Sequence, residues 1–246
     1  MKRTSLEDYY KHYYLDHGAG SYTMGALGQI GRVLNLRDWI QEVTPEGGTV
    51  LDVGCGDGHL STLLPQYKWI GLDINVDKAS GKAIKALTHD LMVTPYPIES
   101  KAVDTVVCSE VLEHVFDLRI VHKEAKRVLK KGGAYIISTP NFDWIDHFLG
   151  YFRHLIFDPT KPHLFEHIRQ YNLDSHKQFL NNAGFYIERN VGSDTQYSGI
   201  FGPAMPLLQN AFKSRGIELS SGEIDQIIGA MFPTLSHTTM ILARGV

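Results

Sequence analysis

Cysteine is nearly absent: Cys55 and Cys108 are the only two in 246 residues, and neither belongs to a C-x-x-C pair. Disulfides are therefore not expected, and a reducing cytoplasm is the natural setting. Long hydrophobic runs are missing too, since no apolar stretch approaches the roughly 20 residues of a membrane span. The first residues, Met1 to Asp8, lead into polar and aromatic positions with no apolar signal core. Charge of one sign is not in excess: 24 Lys plus Arg face 27 Asp plus Glu, giving a formal charge of -3 and a pI near 6.4. That balance provides no general attraction for nucleic acid or an anionic membrane. Internal repeats and low-complexity tracts are likewise absent. The expectation is a soluble cytoplasmic protein with neither nucleic acid nor membrane as partner.

What is present is material for one large core, 43% hydrophobic residues with 21% charged. A single domain with insertions is expected, and the chain is organised around Thr49-Val50-Leu51-Asp52-Val53-Gly54-Cys55-Gly56-Asp57-Gly58. Its first five residues read as a short buried strand, and the residues after the glycines as the start of a helix. A strand that ends in glycines lets a ligand approach bare backbone, and the helix behind it points N–H groups at that ligand. A tight turn alone does not need three glycines in five residues.

Residues 1–47 read as an N-terminal lid rich in Tyr and His, Tyr14 among them, followed by a helix from Met24 to Val43 with an apolar stripe. Residues 48–141 form a first half. There a crossover helix runs to Pro65, with strands at Trp69–Asp73, Ala83–Leu87 and Val103–Cys108. A helix through Leu118, Val121, Ala125, Val128 and Leu129 is stopped by Gly132-Gly133, and a strand follows at Ala134–Ser138. Residues 142–172 break this rhythm with a run of aromatics and histidines, and are expected to cap the ligand crevice. Residues 173–246 resume it with a helix at Leu173–Ala183, a strand at Phe185–Val191, a helical insertion over about 199–232 and a last strand at Thr238–Ala243. Strands alternating with helical crossovers predict an α/β fold, a doubly wound Rossmann-like sheet, mostly parallel with an antiparallel last strand.

The glycine turn superficially matches a dinucleotide fingerprint, with Asp73 placed 19 residues after Gly54 for a ribose. Three details argue against a nicotinamide cofactor. His59 stands where the third glycine belongs, Asp52 lies inside the strand, and a further acid, Asp90, ends the third strand. The ligand implied has a ribose for Asp73, an adenine amine for Asp90 and a cationic or zwitterionic end near Asp52.

At these residues the chain resembles the class I S-adenosylmethionine-dependent methyltransferases, over about residues 48–192 apart from the aromatic insertion. VLDVGCGDG is similar to their first motif, GLDIN to their ribose-binding loop and HDL to the adenine loop. DTVVCSEVLEHV matches their fourth-strand motif, and RVLKKGGAYIISTPN the segment through the fifth strand. The resemblance implies that S-adenosyl-L-methionine is the cofactor. Asp52, Gly54, Cys55 and Gly56 would meet its amino acid part, Asp73 and Ile74 the ribose, and Asp90 and Leu91 the adenine. Ser109 and Glu110 would line the crevice near the sulfonium.

Methyl transfer from a sulfonium needs an aligned acceptor and excluded water, and a hydroxyl acceptor also needs a base, most often His near neutral pH. His114, just past the fourth strand, is the candidate catalytic residue. Glu110, Glu113 and His114 also resemble the metal-binding stretch of ubiquinone-pathway O-methyltransferases, yet E-x-x-E-H strings occur in metal-independent relatives, and no metal is expected. Tyr14 of the lid and His163 and His167 of the cap are candidate acceptor-binding residues. The Asn/Asp-Pro-Pro-aromatic signature of enzymes that methylate a base or glutamine amino group is replaced by Cys108-Ser109-Glu110-Val111. The expectation is therefore methyl transfer to an O or N atom of a small molecule. Alternatives are a protein or RNA acceptor, or a domain that binds the cofactor only to sense it.

Overall fold

The computed structural model describes residues 31–79, 84–142, 171–195 and 204–245. The first described element is helix α1 (Gly31–Val43). Strand β1 (Thr49–Val53) follows, then helix α2 (His59–Leu63), strand β2 (Lys68–Asp73) and strand β3 (Ile84–Thr88). Next come β4 (Val103–Ser109), helix α3 (Leu118–Val128) and β5 (Leu129–Pro140). Helix α4 (Leu173–Asn182), strand β6 (Phe185–Ser193), helices α5 (Met205–Lys213) and α6 (Ser221–Met231), and strand β7 (Thr238–Gly245) complete the order.

The strands form one sheet in the order β3-β2-β1-β4-β5-β7-β6. β1 to β5 pair in parallel, and β7 enters antiparallel between β5 and β6. The architecture is the doubly wound one that the alternation predicted. Its strand order reverses between β1 and β4, the place where open α/β sheets leave a crevice at the carboxyl ends of their strands.

Period-two alternation along each strand feeds two hydrophobic layers. On one face Val106, Tyr135, Ile137 and Ile241 pack with Val121, Ala125 and Val128 of α3. On the other Val50, Val107, Ile136 and Leu242 pack with Leu36, Trp39 and Ile40 of α1. Burial of a Val, Leu or Ile side chain contributes about 1.5–3 kcal/mol, so these layers hold the sheet rigid beneath the crevice.

Several element ends fall one or more residues from expectation, and two of the shifts have a long-range cause. Gly132-Gly133 do not stop α3, which ends at Val128 when Leu129 turns extended, φ -67° and ψ 135°. Leu129 already pairs with Val103, so sheet pairing ends the helix early and the glycines sit within β5, Gly132 at φ +75°. Strand β6 also runs past Val191 to Ser193, because β7 supplies partners as far as Thr238. The lid and cap assignments, with Tyr14, His163 and His167, lie outside the described residues.

Candidate active site

The turn after β1 is tied to β2 by backbone: the N–H groups of Gly54 and Cys55 both donate to the Leu72 carbonyl, at 2.7 and 3.1 Å. Gly54 adopts φ +72°, and a Cβ there would collide with Val111 Cγ2, so both torsion and space require glycine. The Gly56 N–H donates to Asp73 Oδ2 at 2.8 Å and the Asn75 N–H to Asp73 Oδ1 at 3.1 Å. Asp73 therefore acts first as a clamp on the glycine turn. Ile74, partly exposed, also donates its N–H to this carboxylate. Its two oxygens offer about four lone-pair sites, and the N–H groups of Gly56, Asn75 and Ile74 take three, which leaves one for a ligand hydroxyl.

Asp52 is 4% exposed, and no donor reaches its carboxylate among the described residues. Burial, followed by the charges of Asp73 and Asp57, pushes its pKa up to about 8. Burial, followed by the charges of Asp52 and Asp73, pushes the Cys55 thiol far above its ordinary range, so Cys55 is a neutral wall of the turn. A buried carboxylate without a donor is costly unless a cationic group faces it. Asp57 caps the local turn, its Oδ1 accepting the His59 N–H at 3.1 Å.

The His89 N–H donates to the Asp73 carbonyl at 2.8 Å, which brings the residues after β3 beside the tip of β2. Asp90 and Leu91 follow in a tight turn, with Met92 N–H donating to Asp90 Oδ1 at 2.9 Å. A structural brace holds that turn. The Tyr96 hydroxyl donates to the Leu91 carbonyl at 3.2 Å, and the Tyr96 N–H donates to Glu124 Oε2 at 2.7 Å. Arg127 in turn grips Glu124 at 2.7 Å and the carbonyl of Ile98 at 2.8 Å.

Beyond β4 the character changes. Glu110 adopts φ +57°, its N–H donating to the Ser138 carbonyl at 3.0 Å while Ser138 Oγ donates to Glu110 Oε1 at 2.8 Å. Ser109 Oγ lies 2.8 Å from Ser138 Oγ and accepts from Arg32 Nη1 at 3.0 Å. Arg32 Nε donates to Asp194 Oδ2 at 3.1 Å, and Thr238 Oγ1 to the same oxygen at 3.1 Å. Asp194, buried at φ +59°, is pinned through its own N–H by Asp225 Oδ2 at 2.9 Å. Burial raises Glu110 above the usual carboxylate range against the opposing pull of the Arg32 guanidinium. Glu113, only 2% exposed, is pushed well above it by burial and then by Glu110. His114 Nε2 lies 3.8 Å from Glu113 Oε1.

The sequence-predicted residues thus fall at the same edge of the sheet: Asp52, Gly54, Cys55 and Gly56 at β1, Asp73 and Ile74 at β2, Asp90 and Leu91 after β3, Ser109, Glu110 and His114 after β4. Among the described residues no three His, Cys, Asp or Glu side chains converge as metal ligands. Sequence reasoning missed Arg32, Ser138, Asp194 and Asp225. Ser138 falls within the fifth-strand segment RVLKKGGAYIISTPN but carries no role there that the motif announces; Arg32, Asp194 and Asp225 lie in no motif, and only tertiary packing brings these residues together. A buried, donor-free Asp52 and a glycine cradle fit a ligand that joins a cationic amino acid end to a nucleoside.

A family profile described as "Methyltransferase domain" matches residues 30–190. The chain is 27% identical over 154 residues to a probable S-adenosylmethionine-dependent methyltransferase of Mycolicibacterium smegmatis, covering 59% of this chain and 55% of that one. It is 35% identical over 115 residues to the ubiquinone biosynthesis O-methyltransferase of Paracidovorax citrulli, covering 42% and 48%. The chain thus spans about half the length of these curated relatives. Among solved structures, the geranyl diphosphate C-methyltransferase of Streptomyces coelicolor, crystallised with Mg2+, geranyl diphosphate and S-adenosyl-L-homocysteine, superposes with a TM-score of 0.55. It has 16% identity over 99% of this chain and 100% of that one, which is a likeness of fold.

Proposed function

Since this chain belongs to the class I S-adenosylmethionine-dependent methyltransferases, we propose that it methylates an O or N atom of a small-molecule acceptor. The enzyme class and the cofactor, S-adenosyl-L-methionine, follow from the family. The observation that carries the site reading is Asp52: a buried carboxylate with no donor of its own, beside a glycine turn and the Asp73 clamp.

In this reading Asp52 and the backbone of Gly54, Cys55 and Gly56 hold the amino acid end. Asp73 with Ile74 takes the ribose, and Asp90 with the Leu91 backbone the adenine. When bound, the cofactor supplies an electrophilic methyl on an already cationic sulfur. The protein therefore has to align the acceptor with that methyl and keep water out, which is catalysis by orientation in a low-dielectric crevice. Ser109 and Glu110 stand where the acceptor would approach, and His114 is the nearby imidazole able to exchange a proton.

A small acceptor is supported by the Cys108-Ser109-Glu110-Val111 run, which lacks the signature of amino-group methylation on bases or glutamine. The partial identity to ubiquinone biosynthesis O-methyltransferases points the same way. Two buried thiols, Cys55 and Cys108, suit a reducing cytoplasm as the place of action. Among the described residues no helix is long and apolar enough to cross a membrane.

Calorimetry with S-adenosyl-L-homocysteine and with NAD is the first test, and binding of NAD alone would overturn the reading. A panel of phenols, catechols and amines, scored by mass for a gained methyl, then identifies the acceptor class. Cofactor binding with no product from any of them, but methylation of protein or RNA, would replace the small molecule by a macromolecule.

A further inference from the structure

The residues beyond β4 form a chain of hydrogen bonds that serves neither the core nor the cofactor turn. It runs from Asp194 through Arg32, Ser109 and Ser138 to Glu110, drawing on α1, β4, β5 and the end of β6. Two of its members, Glu110 and Asp194, have φ of +57° and +59°, a torsion that costs side-chain-bearing residues energy and persists where the surroundings demand it. At its end Glu110 Oε1 is occupied by the Ser138 hydroxyl, while Oε2 has no hydrogen-bond partner among the described residues. Glu110 is partly exposed at the crevice, whereas Glu113 one turn on is 2% exposed and cannot meet a substrate.

We propose that Glu110 Oε2 is the atom that takes the acceptor's proton, with Ser138, Arg32 and Asp194 as the positioning residues that hold and tune that carboxylate. This rests on the methyl-transfer reading above and narrows the acceptor to a group X–H, a hydroxyl or a protonated nitrogen, that can hydrogen-bond to a carboxylate. The proton passes from X to Glu110 Oε2, and the X–H electron pair stays on X as X bonds to the methyl carbon. The pair of the broken S–C bond remains on sulfur. A sulfonium and a carboxylate thereby become a neutral thioether and a carboxylic acid.

The charged and titratable groups around Glu110 are Arg32 from α1, Asp194 after β6, and Glu113 and His114 from the turn after β4. Burial raises Glu110, Arg32 lowers it and Asp194 raises it again. A base lifted toward neutrality is a better proton acceptor while still ionised enough to act. The pair therefore tunes in two directions.

The test is a side-chain carboxyl carbon NMR titration of the cofactor-free full chain, with the Glu110 signal assigned by its loss in Glu110→Gln. Arg32→Gln is expected to move the Glu110 midpoint up and Asp194→Asn to move it down, each by ~1 pH unit. Asn tolerates the left-handed torsion of Asp194, and Arg32→Lys, with the charge kept, restores the midpoint. Thermal melts by circular dichroism confirm which variants fold. On whichever phenol or amine the wild type methylates, Glu110→Gln is expected to lower kcat by about 100-fold or more with affinity for S-adenosyl-L-homocysteine unchanged. The acid limb of the pH profile should follow the NMR midpoints. Midpoints that stay put or move together, an active Glu110→Gln, or an acid limb that vanishes only in His114→Gln would each overturn the proposal. If the wild type binds S-adenosyl-L-homocysteine but methylates nothing, the function and the base role of Glu110 both fall, while the titration alone still decides whether Arg32 and Asp194 set the Glu110 midpoint.

Discussion

The two ends of the crevice treat their carboxylates in opposite ways. At the tips of β1 and β2, Asp52 and Asp73 are crowded together with Asp57, and what they hold is backbone N–H or nothing at all. Beyond β4, Asp194 is met by a guanidinium and a hydroxyl, and Glu110 by a hydroxyl. The first end gathers three carboxyl groups that a cation would help to ionise, and the second is a hydrogen-bonded polar network that shapes a surface. A cofactor of fixed structure suits the first arrangement, and an acceptor that has to be selected suits the second. The two ends should also respond oppositely to acid, through Asp52 on one side and a buried histidine pair beneath the other.

The largest effect expected is at the cofactor end. Gly54→Ala sets a methyl against Val111 at φ +72°, so a stability loss of about 3 kcal/mol is expected in denaturant unfolding, from overpacking and torsional strain together. If the variant matches wild type, neither the torsion nor the space at Gly54 requires glycine. Asp73→Ala removes a carboxylate that takes backbone N–H groups from Gly56, Asn75 and Ile74. Loss of charged hydrogen bonds is worth ~2–3 kcal/mol, or roughly 30- to 150-fold in the Kd for S-adenosyl-L-homocysteine. Unchanged affinity would remove Asp73 from the site.

Asp52 sharpens the contrast through pH. Its pKa of about 8 in the folded chain stands above the unfolded carboxyl value of 3.8, so its contribution to stability is full below pH 3.8 and lost as pH rises toward 8. A cation that prefers ionised Asp52 must displace that proton. Affinity for S-adenosyl-L-homocysteine should therefore rise between pH 6 and 8, by up to about tenfold per unit, and Asp52→Asn should flatten the curve.

The opposite sign is expected under the acceptor end. His122 on α3 and His176 on α4 lie with ring centroids 6.5 Å apart, both buried, with Nδ1 of each beside a hydroxyl, Tyr135 and Thr139 respectively. Burial lowers His122 to about 4 and His176 to about 3, the latter also through His122. Their contribution to stability is present above the unfolded value of 6.5 and lost as pH falls through 4 and 3. Each can cost up to about 1.4 kcal/mol per pH unit in that window. The stability lost between pH 7 and 4, read by denaturant unfolding, should be smaller in His176→Gln than in wild type; an equal loss would mean that the His176 ring is not neutral in the fold. The smallest effect is expected for Thr238→Val, which removes one of the donors to Asp194. It should cost about 1 kcal/mol by denaturant unfolding and leave S-adenosyl-L-homocysteine affinity unchanged. A loss of affinity there would mean that the two ends are not separable.

Legibility followed the same division. Asp73 and Gly56 are 17 residues apart, and Asp90 bonds within its own turn, so their arrangement leaves a short motif on the chain. Arg32 and Asp194 are 162 residues apart, Arg32 and Ser109 are 77, and Thr238 and Asp194 are 44. No local pattern announces such partners. The end of α3 follows the same rule: the glycine pair Gly132-Gly133 predicts a stop there, but Leu129 pairs with Val103 in the sheet, and this long-range pairing outweighs the local glycine preference.

From its residue order alone this protein determined the alternation of strands and helices, the glycine turn and the acids at the first three strand tips. Each of these depends on backbone torsion and on the twofold and 3.6-fold periods of neighbouring residues. Only the assembled sheet decided that α1 and the residue after β6 would deliver Arg32 and Asp194 to Ser109 and Glu110. Contacts between distant residues exist once burial has compensated the entropy of bringing them together, and that compensation is a property of the packed whole.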